Sequence, residues 1–471
     1  MTVVLSSPPR SGRGDAPLAE RLAQQVAARI DAHALRPGTR LPSIREAALL
    51  HGVSRVTVVE AYDRLVARGL VESRRGSGFY VRSRALGVTP GLARAEPSAP
   101  IDVSWLLDSM LRQMPGPDQP GAGLLPPDWL DAELVGGALR AVGRQNARAL
   151  LGYGEARGHA PLRRQLAIRL EGLGIAASPE QILTTAGVTH AIDLVARHFV
   201  APGDTVLVED PGWFMMFGRL AAHGARVVGV PRTPDGPDIE ALEALLAVHK
   251  PKLFILSSVL QNPSSTSMSA AKAYALLRLA ESHDFAIVDD DIYGDLHSGG
   301  GALRLAALDQ LRRTVYLGGF SKSLAPSLRV GYLAAAPALA ARLTELKMLS
   351  ALTTPELGER VVLRVLADGQ YRRHCERVRA KLAAGRELTA RRIESLGLKF
   401  FAPPAEGLFL WTDCGCDTNR VAAFGAERGL LFAPGVLFSP SQQASTWMRL
   451  SAACGESERV WDVLAEALAK A

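Results

Sequence analysis

GGFSKSLAPSLRVGYL, residues 318–333, is the stretch from which the rest of the chain is read. It continues the apolar run TVYLGGF (314–320), so Lys322 is delivered just past a predicted strand end, between Ser321 and Ser323 and seven residues ahead of Arg329. In open α/β sheets the carboxyl ends of strands are where ligands bind. A lysine amine held near an arginine that can grip a phosphate is what a pyridoxal phosphate (PLP) Schiff base needs: the amine bonds the aldehyde carbon and the guanidinium takes the phosphate. A lysine between serines says little alone, and its surroundings give it weight.

Working outward, the β-type runs ILTTAG (182–187), TVLVEDP (205–211), LFILSSV (253–259) and FAIVDDD (285–291) alternate with amphipathic helical stretches. That alternation predicts an α/β domain with a mainly parallel sheet. A chain of 471 residues is too long for one ordinary core. Hydrophobic residues at 48% and charged residues at 21% describe a packed protein rather than a disordered one. No run approaches the ~20 apolar residues of a membrane helix, and MTVVLSSPPRSGRGD lacks a secretory apolar core, so a cytoplasmic protein without membrane contact is expected. Cys375, Cys414, Cys416 and Cys454 have no paired CxxC spacing, so reduced thiols and no metal are expected.

The net charge of +7 is confined to the first 84 residues, which hold 14 Lys+Arg and 7 Asp+Glu and leave 40 of each in the remainder. A small basic segment on a neutral large one suits a polyanion-binding module joined to a small-molecule domain. Leu18, Leu22, Val26 and Ile30 form one helical stripe ending before Arg36-Pro37-Gly38. Ser43 and Glu46 have capping-box spacing and open a second helix stopping at Gly52. Ser54 can cap a third helix running to Arg68, on which Val58, Tyr62 and Leu65 face inward and Arg55 and Thr57 are left to project. LVES and FYVR then flank the basic tip Arg74-Arg75-Gly76-Ser77-Gly78. Three helices and a hairpin make a helix-turn-helix with a wing, able to place the third helix's N-terminal end in a major groove and the wing tip on phosphate or in the minor groove.

Through PGTRLPSIREAA, GVSRVTV and RRGSGFYV, residues 16–83 resemble the GntR family of winged-helix repressors. The resemblance implies DNA contacts by Arg45, Ser54, Arg55, Thr57 and Gly76; Arg75 is added from its charge at the wing tip. Residues from about 145 onward resemble the class I aminotransferases of PLP fold type I. That resemblance implies Lys322 as the Schiff-base lysine with Ser321 beside it and Arg329 on the phosphate. It further implies Asn262 (SSVLQNPSS) and Tyr293 on the phenolic oxygen, Asp290 (VDDDIYGDL) on the pyridine nitrogen, and Trp213 (EDPGW) stacking on the ring. Gly187, Val188 and Thr189 (TTAGVTHA) would present amides to the phosphate, and Tyr153 (GYGEARG) would reach the phosphate of a neighbouring subunit, which implies a homodimer. Arg449 (STWMRLSAA) would receive a substrate or effector α-carboxylate. Three departures stand out: Trp213 replaces a usual tyrosine, Gly319 a usual serine or threonine, and Ser264-Ser265 a usual Thr-Gly.

The combination resembles the MocR subfamily of GntR-type regulators. The expected architecture is multidomain: a tail (1–15), a winged helix-turn-helix of α+β type (16–83), a linker and approach segment (84–127), and an α/β aminotransferase fold type I domain (128–471) with large and small subdomains at about 150–340 and 341–471. The implied function is a PLP-dependent regulator of double-stranded operator DNA that senses an amino acid or amine through external aldimine formation. Two alternatives stand beside it: a working aminotransferase with a residual DNA-binding segment, or a regulator of vitamin B6 genes sensing PLP itself.

Overall fold

The computed structural model describes residues 17–31, 39–74, 77–81, 116, 118–145, 151–299 and 302–470. The predicted tail, the Arg36-Pro37-Gly38 turn, the wing-tip residues Arg75 and Gly76, and the linker up to residue 115 lie outside them. Internal contacts divide the chain into two compact units, Met1–Pro97 and Ser98–Ala471.

In the first unit α1 (Leu18–Asp31), α2 (Ile44–His51) and α3 (Arg55–Ala67) precede a hairpin of β1 (Val71–Arg74) and β2 (Gly78–Val81), paired antiparallel from Val71↔Val81 to Arg74↔Gly78. The expected caps are present. Ser43 and Glu46 form a complete capping box, Gly52 ends α2 at φ 63°, and the Ser54 hydroxyl accepts the Thr57 amide at 3.1 Å. Val58, Tyr62 and Leu65 are buried together with Leu22, Val26, Leu41 and Val71, and the Tyr62 hydroxyl donates to the Pro42 carbonyl at 2.9 Å. Leu18 departs from the predicted stripe: as the first helical residue it is 52% exposed, and burial begins with its neighbour Ala19. Glu20 instead ties α1 to α3 by ion pairs with Arg64 and Arg68, which hold its carboxyl below the usual range.

The second unit contains β3 (Ile182–Thr185), β4 (Thr205–Asp210), β5 (Arg226–Thr233), β6 (Gly236–Pro237), β7 (Leu253–Leu256), β8 (Ala286–Asp290), β9 (Thr314–Gly319) and β10 (Gly331–Ala334). They form one sheet in the order β3-β10-β9-β8-β7-β4-β5-β6. From β9 to β5 neighbours run parallel, whereas β10 is antiparallel to both β9 and β3. Alternate side chains leave opposite faces. Tyr316 of β9 joins a core with Leu162, Leu166 and Val361, while its neighbours Val315 and Leu317 join another with Ile192, Val195 and Leu343. Both faces are thus covered by helices, as a parallel sheet requires.

The C-terminal part is built on β11 (Lys399–Phe400), β12 (Phe409–Asp413), β13 (Ala433–Pro434) and β14 (Trp447–Ser451), an antiparallel sheet in the order β11-β12-β14-β13. The 26-residue helix Gln370–Ser395 packs on it through Val378, Leu382 and Ile393. Among the described residues no helix is long and apolar enough to cross a membrane, and no cluster of His, Cys, Asp and Glu is arranged to hold a metal. The four cysteines are free thiols.

Candidate functional site

Several segments bring polar groups to the carboxyl ends of the strands. β9 ends at Gly319, and a Cβ there would lie 2.8 Å from Ile292 Cδ1 and 3.3 Å from Val188 Cγ2. The place of the expected serine or threonine is therefore filled by apolar side chains. Beyond it the chain turns through Ser321 and Lys322, and what fixes that turn comes from far away. Ser323 is fully buried and hydrogen-bonds Tyr371, which donates to Asp295, itself ion-paired with Arg169. His374 lies 2.7 Å from the Ser323 carbonyl. The sequence did not point to Tyr371, His374 or Arg169, because helical positions 48 to 154 residues away carry no local motif.

Burial, with Arg449 and Arg329 adding to it and Asp290 opposing, pulls the Lys322 amine down to about 8. An ammonium cannot attack a carbonyl, so the nucleophilic fraction grows as pH rises through that value. Labelling of Lys322 by a small aldehyde with borohydride should be half-maximal near pH 8, read by peptide mass mapping. A midpoint near the ordinary 10.5 would show that the amine is solvated.

Around Lys322 stand Asp290, Tyr293, Asn262 and Arg449. Asp290 ends β8, and burial followed by the neighbouring Asp291 and Asp289 raises its carboxyl to about 7. A cation beside it would restore its ionised form. Asn262 Oδ1 accepts from Arg449 Nη1 at 2.8 Å, leaving the amide nitrogen as a donor. Arg449, on β14, is 2% exposed and lies between the rings of Phe409 (4.3 Å) and Phe438 (4.9 Å). Among the described residues no carboxylate pairs with it, and its Nε has no hydrogen-bond partner.

The contacts to Lys322 and Arg449 reveal something the sequence did not. Residues 120–125, read as an irregular approach segment, run through the site. Lys322 Nζ donates to the Gly123 carbonyl at 2.8 Å, and Arg449 Nη2 to the Gly121 carbonyl at 2.6 Å. The segment is anchored by the Gly121 amide on Leu431 O (2.9 Å) and the Ser451 amide on Pro120 O (2.7 Å). At Gly121 a Cβ would lie 2.6 Å from the Leu431 carbonyl oxygen, so only glycine passes there.

A second focus lies at the start of the helix Val188–Phe199. Gly187, at φ 79°, turns β3 into that helix, whose first amides, those of Val188 and Thr189, lack intrahelical acceptors. Arg329 crosses this turn, donating from Nη2 to the Ala186 carbonyl at 2.8 Å, and a Cβ on Gly187 would meet that nitrogen at 2.6 Å. Glycine, helix dipole and guanidinium together form a cradle for an anion. Trp213 is the partly buried residue before the helix Phe214–Ala222. Ser265 takes a left-handed conformation, φ 55°, where glycine is usual, with its hydroxyl accepting the Phe409 amide at 2.9 Å.

Tyr153 is not gathered with these residues; it is 85% exposed. In the first unit Arg45, Ser54 and Arg55 are exposed, and Thr57 is half-buried with its hydroxyl 2.8 Å from that of Ser54.

A winged-helix segment of this kind, ahead of a domain with this sheet order and strand-end constellation, defines a transcription regulator with an aminotransferase-like domain. Residues 18–81 match the family of bacterial regulatory proteins, gntR family, and residues 117–468 match aminotransferase class I and II. The chain is 30% identical over 462 residues to the HTH-type transcriptional regulator TauR of Rhodobacter capsulatus, covering 93% of each. It is 32% identical over 337 residues to the probable rhizopine catabolism regulatory protein MocR of Rhizobium meliloti, covering 69% of this chain and 67% of that one. The crystal structure of LysN, an alpha-aminoadipate aminotransferase from Thermus thermophilus complexed with N-(5'-phosphopyridoxyl)-L-leucine, superposes with a TM-score of 0.71 at 26% identity, over 78% of this chain and 96% of that one. The chain belongs to the aminotransferase class I and II family and, by its GntR-type segment, to the MocR subfamily of regulators.

Proposed function

We propose that this regulator binds PLP in the second unit and takes an amino acid or related amine as its effector. The observation that carries this reading is Arg449: a buried guanidinium between two aromatic rings, without an acidic partner among the described residues, its fork shared by Asn262 and a backbone carbonyl. Such a group is suited to an incoming carboxylate, which it can grip with two parallel hydrogen bonds.

The residues fit the cofactor. The turn at Gly187, where the absence of a Cβ lets the Arg329 guanidinium lie across the helix start, suits a phosphate; Lys322 offers an amine with lowered proton affinity; and Asp290 would suit a cationic partner such as a protonated ring nitrogen. Asn262 and Tyr293 would donate to a phenolic oxygen, Trp213 would stack, and Ser321, Val188 and Thr189 would contribute phosphate donors. Bound PLP supplies an aldehyde on which a lysine amine can be exchanged for that of a substrate. Lys322 would be the residue that holds the cofactor, and Arg449 would exchange the Gly121 carbonyl for the effector's carboxylate. Because Lys322 and Arg449 both hydrogen-bond residues 121–123, an effector that engages these two side chains would act on that segment.

A homodimer is part of this reading. Leu151 (88% exposed) and Tyr153 precede Gly154, which packs beside Thr354, while Leu349 (86%) and Leu352 lie just before that threonine. An exposed apolar patch of this kind suits burial against a second copy, and Tyr153 would complete the partner's phosphate site. DNA contact would come from Arg45, Ser54, Arg55 and Thr57 with Arg75 and Gly76 of the wing, in the cytoplasm. The same constellation also supports transamination, a reading favoured by the 30% identity over 363 residues to the 2-aminoadipate transaminase of Thermus thermophilus.

Borohydride reduction of the PLP-loaded chain tests the assignment: the pyridoxyl label should map to Lys322, and a label on another lysine would refute it. Gly187→Ala should weaken PLP binding about 10- to 100-fold by pushing Arg329 out of the cradle, because the new Cβ and the guanidinium claim one space and loss of one to two charge-assisted contacts costs about 1.5–3 kcal/mol. Equilibrium dialysis against PLP reads the change.

A further inference from the structure

The outer face of α3 carries three exposed valines that the fold does not use, Val56, Val59 and Val66, of which the first two stand near its N-terminal end. Val56 is 75% exposed and Val59 39%, three residues apart and therefore on one face, while Val58, Ala61, Tyr62 and Leu65 bury the opposite face. Both are β-branched, a choice that a solvent-facing helix position does not favour. They stand in the first two turns, behind the Ser54 cap and beside the exposed Arg55. The next acidic residue on that side, Glu60, is drawn aside by Arg64 at 2.7 Å. The segment around them has twice as many basic as acidic residues, 14 against 7 over residues 1–84, which favours a polyanion over a protein as what covers this face.

We infer that Val56 and Val59 read thymine C5-methyl groups in the major groove. This rests on the reading of α3 as the DNA-contacting helix and adds a base preference to it. Apolar side chains distinguish base pairs in that groove chiefly through the C5-methyl group of thymine, the one methyl substituent on the four base edges. Arg55 next to them would supply the polar contact. Each half-site therefore contains one or two thymines whose methyl groups, rather than their hydrogen-bonding atoms, are required.

The test uses the full chain and a duplex selected from a random-sequence library by repeated binding. Uracil is then placed at each thymine in turn, which removes the methyl group alone. One or two replacements per half-site should each weaken binding about fourfold, the worth of one methyl group taken out of water. With Val56→Ala or Val59→Ala the penalty at the matching position should fall below about 1.5-fold, while the salt dependence stays as it was, since valine neutralises no phosphate. Specific binding that tolerates uracil at every position would overturn the proposal and leave α3 as a DNA-binding helix. Failure of any duplex to be enriched would overturn that underlying reading as well. If the valine variants bind DNA unchanged but alter self-association in sedimentation, the face belongs to a protein contact and the proposal is wrong.

Discussion

Arg449→Ala is expected to remove the response to a carboxylate-bearing effector while Lys322 still holds PLP. Truncating one partner of a buried, hydrogen-bonded charge pair costs about 2–5 kcal/mol, which is roughly 30- to 5,000-fold in Kd. The guanidinium is 2% exposed and held in place by Asn262 Oδ1 and the Gly121 carbonyl, so an incoming carboxylate has only to take over the Gly121 contact. Some stability is lost as well, because both acceptors lose a donor. Arg449→Lys separates the two effects: the charge remains, but the planar fork that matches a carboxylate does not. It should recover the thermal midpoint and leave effector affinity low, as measured by titrating the bound cofactor's absorbance with amino acids. Wild-type affinity in either variant would place the carboxylate elsewhere.

Lys322→Ala should have the second large effect. The protein-bound visible absorbance of PLP should be lost on gel filtration, since the phosphate cradle alone gives a reversible, non-covalent complex. Stability should change by no more than about 1 kcal/mol, because the side chain makes a single hydrogen bond, to Gly123. A fold that survives while covalent capture and every amino-acid effect disappear is the expected pattern. Retained covalent PLP would mean that another amine serves.

Much of this was legible in the sequence because it is local. Strand runs alternate with helices, caps such as Ser43 with Glu46 lie three residues apart, and Gly187 announces a turn into a helix. Lys322, Asp290 and Asn262 could be singled out because each lies at or beyond a strand's carboxyl end. What stayed hidden depends on distance along the chain. Gly121 reaches Arg449 across 328 residues, and a Pro- and Gly-rich stretch without periodicity gives no sign that its carbonyls enter a site. Phe409 and Phe438 look like ordinary core residues until they are seen on either side of Arg449. The departures were visible, but their meaning was not. Gly319 reads in sequence as a lost hydroxyl, whereas Ile292 and Val188 occupy the space, and Ser265 holds a glycine-like conformation by bonding the Phe409 amide.

Effector and DNA are expected to act on each other through this chain, and the direct measurement is affinity for a selected two-half-site duplex with and without a saturating amino acid that shifts the cofactor spectrum. A change of ~5- to 150-fold is expected, and the duplex should change the amino acid's affinity by the same factor, because coupling free energies are reciprocal. Lys322→Ala should show neither change. If amino acids that shift the wild-type spectrum leave duplex affinity and bending unaltered, the two units are not coupled and the account of this chain as an effector-sensing regulator is contradicted.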